Sequence, residues 1–295
     1  MLKLIGDFMF KYSILKVNKD FVFWTSISNV KGSRKKRITI DKFGYKIGFF
    51  KYEKYNCSEA CSEKLSCEIA KKLRIPCANI EFARDEEGIL GCISYLFVTK
   101  IDSHIDAKDL IDSSEFDRKK FCTISNIKSF LDGFGLEEFE KFIEMMVFDA
   151  LIGETDRHEE NWGLTKKGKE YKFSPLYDCS CNLLREFKNK EFAELFYSGK
   201  KKLEDYIKKS PTCIYKENFN GKYKHFELVE KLIKDYPEIT SKKIKKLRKL
   251  TNFWVWIILA RLPKEIIDYN HKKYIYKYII MRRNFLLNMI KKGEK

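Results

Sequence analysis

The stretch DALIGETDRHEENWGLTKKGKEYKFSPLYD, residues 149–178, decides how the chain is read. An apolar run leads into it. Phe139, Phe142, Ile143, Met146, Val147, Ala150 and Leu151 recur at i, i+3, i+4 and i+7 spacing, which predicts an amphipathic helix over residues 137–151. Ile152-Gly153 stops that helix, and a polar run from Glu154 to Asn161 follows. Residues 162–164 and 171–173 then read as a short hairpin turning through Lys167-Gly168, and the stretch closes on Ser174-Pro175-Leu176-Tyr177-Asp178.

Asp156 and Asn161 stand five residues apart, with Asp178 beyond the hairpin. Magnesium prefers carboxylate and amide oxygens, takes few protein ligands and keeps water. Phosphoryl transfer needs little more from a protein: a carboxylate that orients and deprotonates the attacking hydroxyl, and oxygen ligands for the metal on the triphosphate. Alone, an Asp-x-His in a loop is a turn or a cap. Three polar groups at these spacings after such a helix are a more specific signal.

Upstream, β-rich runs occupy residues 21–27, 37–40 and 45–50, the first two separated by the basic turn Lys31-Gly32-Ser33-Arg34-Lys35-Lys36. Residues 58–73 predict a helix, with Ser58 as N-cap and Leu65, Ile69, Ala70 and Leu73 at helical spacing, ended by Pro76. Strands over residues 78–83 and 91–98 follow, joined by the turn Arg84-Asp85-Glu86-Glu87-Gly88. From about residue 105 the pattern turns helical, with further helices expected at 222–234, 240–261 and 263–292. The reading is an α+β chain: a small β-rich N-lobe over residues 1–98 and a larger helical C-lobe over residues 99–295.

The pattern D-x-H-x-x-N followed by S-P-L-Y-D resembles the catalytic and metal-binding loops of HipA-like serine/threonine kinases, in the compact form that lacks the extra N-terminal subdomain. The resemblance covers roughly residues 28–180. It implies a bilobal protein-kinase-like fold that uses ATP and Mg²⁺ to phosphorylate Ser or Thr. On this likeness Asp156 is the catalytic base, Asn161 and Asp178 hold magnesium, and His158, counted with the cofactor-binding residues, supports the loop by packing or hydrogen bonding. Ile47-Gly48-Phe49-Phe50-Lys51 has the form of the family strand that ends in an ATP-contacting lysine. Glu63, seven residues before Ala70 in Ile69-Ala70-Lys71-Lys72-Leu73, matches the glutamate that orients it, with Glu59 and Glu68 as rivals. The basic turn resembles the family's phosphate-covering loop and puts Ser33 and Lys36 at the phosphates, although it has one glycine where protein kinases often have three. Residues 95–98, Phe97 and Val98 among them, match the hinge that binds adenine. The likeness further implies a protein substrate and autophosphorylation, in trans, at Ser33 or Ser28.

With 295 residues, 44% hydrophobic and 15% aromatic, the chain can bury a sizeable core, which excludes a disordered class. The net charge of +17 favours anionic partners, but a lysine-rich chain also abundant in Ile, Asn, Tyr and Phe follows from AT-rich coding, so charge alone names no function. Nine scattered cysteines read as reduced thiols of a cytoplasmic protein. Cys57, Cys61 and Cys67 lack the paired spacing of a zinc site. Charges at Lys3, Asp7, Lys11 and Lys16 break any leading signal core, which is equally compatible with secretion without a classical signal. Residues 253–262 span about half a membrane, and they read as a buried helix with Trp254 and Trp256 in the core. Two other readings stay open: a kinase-like binding module that presents its basic surface to nucleic acid or a protein, and a kinase of a lipid or small molecule.

Overall fold

The computed structural model describes residues 10–24, 35–54, 57–99, 101–111 and 116–291. The chain divides into two compact units. One holds the residues up to Phe97 with Leu184–Lys200 and Leu250–Lys277; the other holds Val98–Leu183, Lys201–Lys249 and the residues from Tyr278 onward. Among the described residues no helix is long and apolar enough to cross a membrane. None of the nine cysteines is joined in a disulfide.

The first unit is built on β1 (Ile14–Lys16), β2 (Phe21–Phe23), β3 (Lys36–Asp41), β4 (Ile47–Tyr52), β5 (Ile80–Arg84) and β6 (Leu90–Tyr95). They form one sheet in the order β1-β5-β6-β4-β3-β2, antiparallel except where β1 meets β5. Successive strand side chains point to opposite faces. Phe50 and Tyr52 therefore enter a cluster with Phe21, Ala83 and Ile93, while Lys51 between them turns to the other face. At Gly91 a Cβ would meet the Lys51 carbonyl at 2.4 Å, so the close β4–β6 approach requires glycine there.

Helix α1 (Glu59–Leu73) packs on β5 and β6. Ser58 occupies the N-cap position but does not cap; its hydroxyl donates to the Arg185 carbonyl at 3.0 Å instead. Arg74, left-handed at φ 57°, ends the helix ahead of Pro76. The helix Asn252–Ala260 corrects one expectation. It buries Val255, Ile258 and Leu259, yet Trp254 is 39% exposed, with the Lys72 ammonium 3.5 Å from its ring centre, and Trp256 is only half-buried. An almost wholly apolar helix carries no polar stripe to say which side faces out.

The second unit combines a sheet of β7 (Asp102–Asp106), β8 (Gly163–Lys167) and β9 (Glu170–Phe173) with helices, chiefly α2 (Leu136–Ile152) and α3 (His225–Asp235). β7 lies where the sequence suggests the onset of helix. Asp102-Ser103-His104-Ile105-Asp106 has no apolar alternation of its own, and it is a strand because β8 pairs with it from far along the chain. The helix expected from residue 222 starts instead at His225, because Lys222–Lys224 form β11 against β10 (Pro211–Tyr215). The expected helix over 240–261 breaks into Pro237–Lys246 and Asn252–Ala260, the second capped by the Thr251 side chain on Trp254 N–H.

Candidate active site

In the first unit, Lys51 Nζ lies 2.9 Å from Glu63 Oε2, the two side chains being 9% and 1% exposed. Helix α1 is buried on nearly every side, so each of its charged groups must find a partner. Glu59 takes Arg185 at 2.9 Å, and Glu68 takes Lys64 at 3.1 Å. Of the three glutamates weighed for Lys51, the structure brings Glu63 to it. A buried ion pair returns little net stability, because desolvation offsets the attraction. What this one provides is an ammonium held at a fixed place on the sheet.

Lys36 stands directly opposite Lys51 in the β3–β4 register, with its ammonium 6.0 Å from the Phe49 ring centre. Ser33 and Ser28, with most of the basic turn, lie outside the described residues. Leu96 N–H donates to the Ile47 carbonyl at 2.9 Å, which ties the end of β6 to β4. Phe97 and Val98, both half-buried, follow directly.

In the second unit, α2 launches the polar loop. Gly153 ends the helix at φ +75°, where a Cβ would lie 1.8 Å from Tyr278 Oη, so only glycine fits. Asp149, in the last turn of α2, pairs with Arg157 through both oxygens, at 3.0 and 3.1 Å. The same guanidinium donates to the carbonyls of Asn161 at 2.8 Å and Tyr177 at 2.7 Å, and to Cys179 Sγ at 3.0 Å. One buried, rigid fork thus ties the helix, the loop and the segment leading to Asp178. Glu154 works beside it. Its Oε1 accepts from Asp156 N–H at 2.9 Å, and its Oε2 accepts from Cys181 N–H at 3.1 Å and Asn182 Nδ2 at 2.8 Å. Burial pushes the Glu154 carboxyl up to about 7, against the pull of Arg157. His225 Nε2 donates to the Glu154 carbonyl at 2.7 Å, and burial holds this imidazole neutral, down to about 3.

Asp156 itself is open, with a side chain 55% exposed. Cys181 Sγ donates to its Oδ2 at 3.6 Å. Its carbonyl accepts from His158 N–H at 2.9 Å and from Asn161 Nδ2 at 2.6 Å. With that nitrogen engaged, Oδ1 is the Asn161 atom offered to a cation, and an amide oxygen is a donor that suits Mg²⁺. His158 supports the loop: its Nδ1 accepts from Glu160 N–H at 3.2 Å, and its Nε2 lies 3.2 Å from Asn161 Nδ2. Asp178 is half-buried and left-handed at φ +50°, a conformation Asp tolerates better than most residues. Before it, the Tyr177 hydroxyl donates to Asp106 Oδ1 at 2.7 Å, and burial with that carboxylate nearby pushes the phenol far up. Among the described residues no three or more His, Cys, Asp or Glu side chains gather as a metal cluster; the expected magnesium pair is one Asp and one Asn.

The structure therefore joins Lys51 to Glu63, and Asp156 to Asn161 and His158. The sequence reading missed the residues that hold the loop: Asp149, Glu154, Arg157, Tyr177 and His225. Asp149 carried a readable signal, since a carboxylate between Phe148 and Ala150 on a buried helix demands a partner.

Comparison with known proteins places this geometry. Residues 16–249, well over half of the chain, match the family described as HipA-like C-terminal domain. The serine/threonine-protein kinase CtkA of Helicobacter pylori is 26% identical over 152 residues, which is 45% of this chain and 46% of that protein, so the alignment spans less than half of the relative. The crystal structure of the Helicobacter pylori proinflammatory kinase CtkA superposes with a TM-score of 0.78 at 14% identity, covering 95% of this chain and 99% of the other. That likeness establishes the α+β, kinase-like fold. With the family match spanning both the Lys51–Glu63 pair and the loop from Glu154 to Asp178, the chain belongs to the HipA-like C-terminal domain family.

Proposed function

We propose that this chain is a protein kinase that transfers the γ-phosphoryl group of ATP to a Ser or Thr hydroxyl. The observation that carries the reading is the loop geometry: an exposed carboxylate on Asp156, its own carbonyl held by the Asn161 amide nitrogen at 2.6 Å, and the amide oxygen turned to the role of acceptor. The name of the Helicobacter pylori relative, a serine/threonine-protein kinase, supports it.

In this reading residues 1–98 carry the nucleotide-binding groups and residues 99–295 the catalytic and metal-binding ones. Lys51, held by Glu63, contacts the phosphates, with Lys36 and Ser33 as further phosphate-binding residues. Phe97 and Val98 flank the adenine. Asp156 accepts the proton of the acceptor hydroxyl, which lets that oxygen attack phosphorus as the bond to the leaving diphosphate breaks. Its openness suits a group that must meet an incoming hydroxyl. Asn161 Oδ1 and the Asp178 carboxylate hold Mg²⁺, which neutralises charge on the triphosphate. His158 keeps the Asn161 amide oriented. The substrate is a protein, the chain itself included, and the site of action is the cytoplasm.

The test is incubation of the purified chain with γ-labelled ATP and Mg²⁺, alone and with a basic protein substrate. Label on the chain or substrate that disappears with EDTA is the expected result. ATP binding without any transfer of label would overturn the kinase reading in favour of a binding module.

A further inference from the structure

Outside the site just described, one pair of thiols meets in the first unit. Cys67 lies on α1 one turn beyond Glu63, and Cys77 follows Pro76 on the way to β5. Cys77 Sγ donates to the Cys67 carbonyl at 3.6 Å and sits 3.8 Å from Cys67 Sγ. The two carriers are fixed by backbone bonds: Arg74 N–H to the Lys71 carbonyl at 3.0 Å and Ile75 N–H to the Ala70 carbonyl at 2.9 Å close the helix end between them. Packing alone accounts for two thiols in contact, but it does not account for their chemistry. Burial pushes Cys57, Cys61, Cys122, Cys179 and Cys213 up, as expected of inert core cysteines. Cys67 goes the other way, down to about 7, because the Cys77 thiol donates to it and the Lys71 ammonium stands near, against the effect of burial. Cys67 is 3% exposed, whereas Cys77 is half-buried and within reach of a small reagent.

We propose that Cys67 and Cys77 form a dithiol that a small-molecule disulfide converts into an intramolecular disulfide, a reversible modification of the helix that carries Glu63. Cys77 passes its proton to the Cys67 thiolate and attacks one sulfur of glutathione disulfide; the S–S bond breaks, and the departing glutathione thiolate takes up that proton from Cys67. The Cys67 thiolate then attacks the Cys77 sulfur of the mixed disulfide, forms the Cys67–Cys77 bond and expels the second glutathione thiolate. Two protein thiols give up two electrons and two protons, and the glutathione disulfide becomes two thiols. The sulfurs must close from 3.8 Å to about 2.05 Å, a movement of roughly 1.8 Å that draws α1 toward the segment before β5. The proposal rests on the thiol geometry and stands apart from the kinase reading.

The experiment treats the reduced full chain with glutathione disulfide across a series of glutathione ratios. It then blocks remaining thiols by alkylation under denaturing conditions, and maps tryptic peptides by mass. The expected product links residues 65–71 to residues 75–84, lighter by two hydrogens than the sum of the reduced peptides, and dithiothreitol reverses it. The Cys67→Ser variant should instead retain glutathione on Cys77. Wild-type protein in which both cysteines stay alkylatable, or Cys77 keeps its glutathione, or either pairs with another cysteine, would overturn the proposal. The wild-type map decides the matter even where the variant folds poorly.

Discussion

Replacing Arg157 by Met keeps a side chain of similar length but removes the guanidinium bonds that tie the loop to the Asp149 carboxylate of α2. Asp149, 2% exposed, is left as a buried carboxylate without its partner, which costs about 3–5 kcal/mol. The carbonyls of Asn161 and Tyr177 lose their donor as well, at about 1 kcal/mol each. These contributions overlap because they share one residue, so the expected total is about 4–6 kcal/mol. Arg157→Lys keeps the charge but cannot reach all the partners of a planar fork, and about 2 kcal/mol is expected. Adding Asp149→Asn to Arg157→Met removes the stranded charge and should recover part of the loss. Urea denaturation followed by tryptophan fluorescence reads these differences, since Trp162, 3% exposed, is buried in the same unit. Arg157→Met within about 1 kcal/mol of wild type, or a double variant no more stable than the single one, would refute the tying role of the Arg157 fork.

Gly153→Ala should cost more than about 2 kcal/mol, because it combines left-handed strain with a Cβ 1.8 Å from Tyr278 Oη. Gly168→Ala, at φ +59° with nothing near its Cβ, should cost only about 1 kcal/mol in the same denaturation assay. Glu154, raised from 4.5 to about 7, binds more protons folded than unfolded, so its stabilising contribution is full below pH 4.5 and is lost as pH rises to about 7. His225, lowered from 6.5 to about 3, has the opposite sign: its contribution is full above pH 6.5 and is lost as pH falls toward 3. Stability–pH curves of Glu154→Gln and His225→Asn, each subtracted from wild type, should slope in opposite directions; equal slopes would contradict the burial argument. Lys51→Met removes the ammonium paired with Glu63, 1% exposed, and should weaken ATP binding at least about tenfold by titration calorimetry. Unchanged affinity would remove Lys51 from the phosphates.

Much of the candidate site was legible because its residues lie close together in the chain. The helix over residues 137–151 announces itself by its apolar stripe, Gly153 by the stop it makes, and Asp156 and Asn161 by a spacing that one loop fixes. Glu63 was separable from Glu59 and Glu68 only in space, since Arg185, which takes Glu59, comes from 126 residues further along. β7 was illegible for the same reason: a strand without alternation is made by its partner, and β8 is remote in sequence. Nor does any local pattern in residues 184–200 or 250–277 say that they pack with the first unit. Arg157 escaped because its role lies in four simultaneous contacts, and a lone arginine between Asp156 and His158 reads as solvated.

The central claim is that Asp156 accepts the hydroxyl proton in phosphoryl transfer, and the most direct measurement compares wild type with Asp156→Asn. Both proteins would be assayed for transfer from γ-labelled ATP with Mg²⁺, and for ATP affinity in parallel. The account predicts that label transfer falls by roughly 10²–10⁴-fold, as expected for loss of a general base, while the dissociation constant for ATP changes little. Equal transfer by the variant would contradict the assignment of Asp156, and no ATP binding by either protein would contradict the kinase reading as a whole.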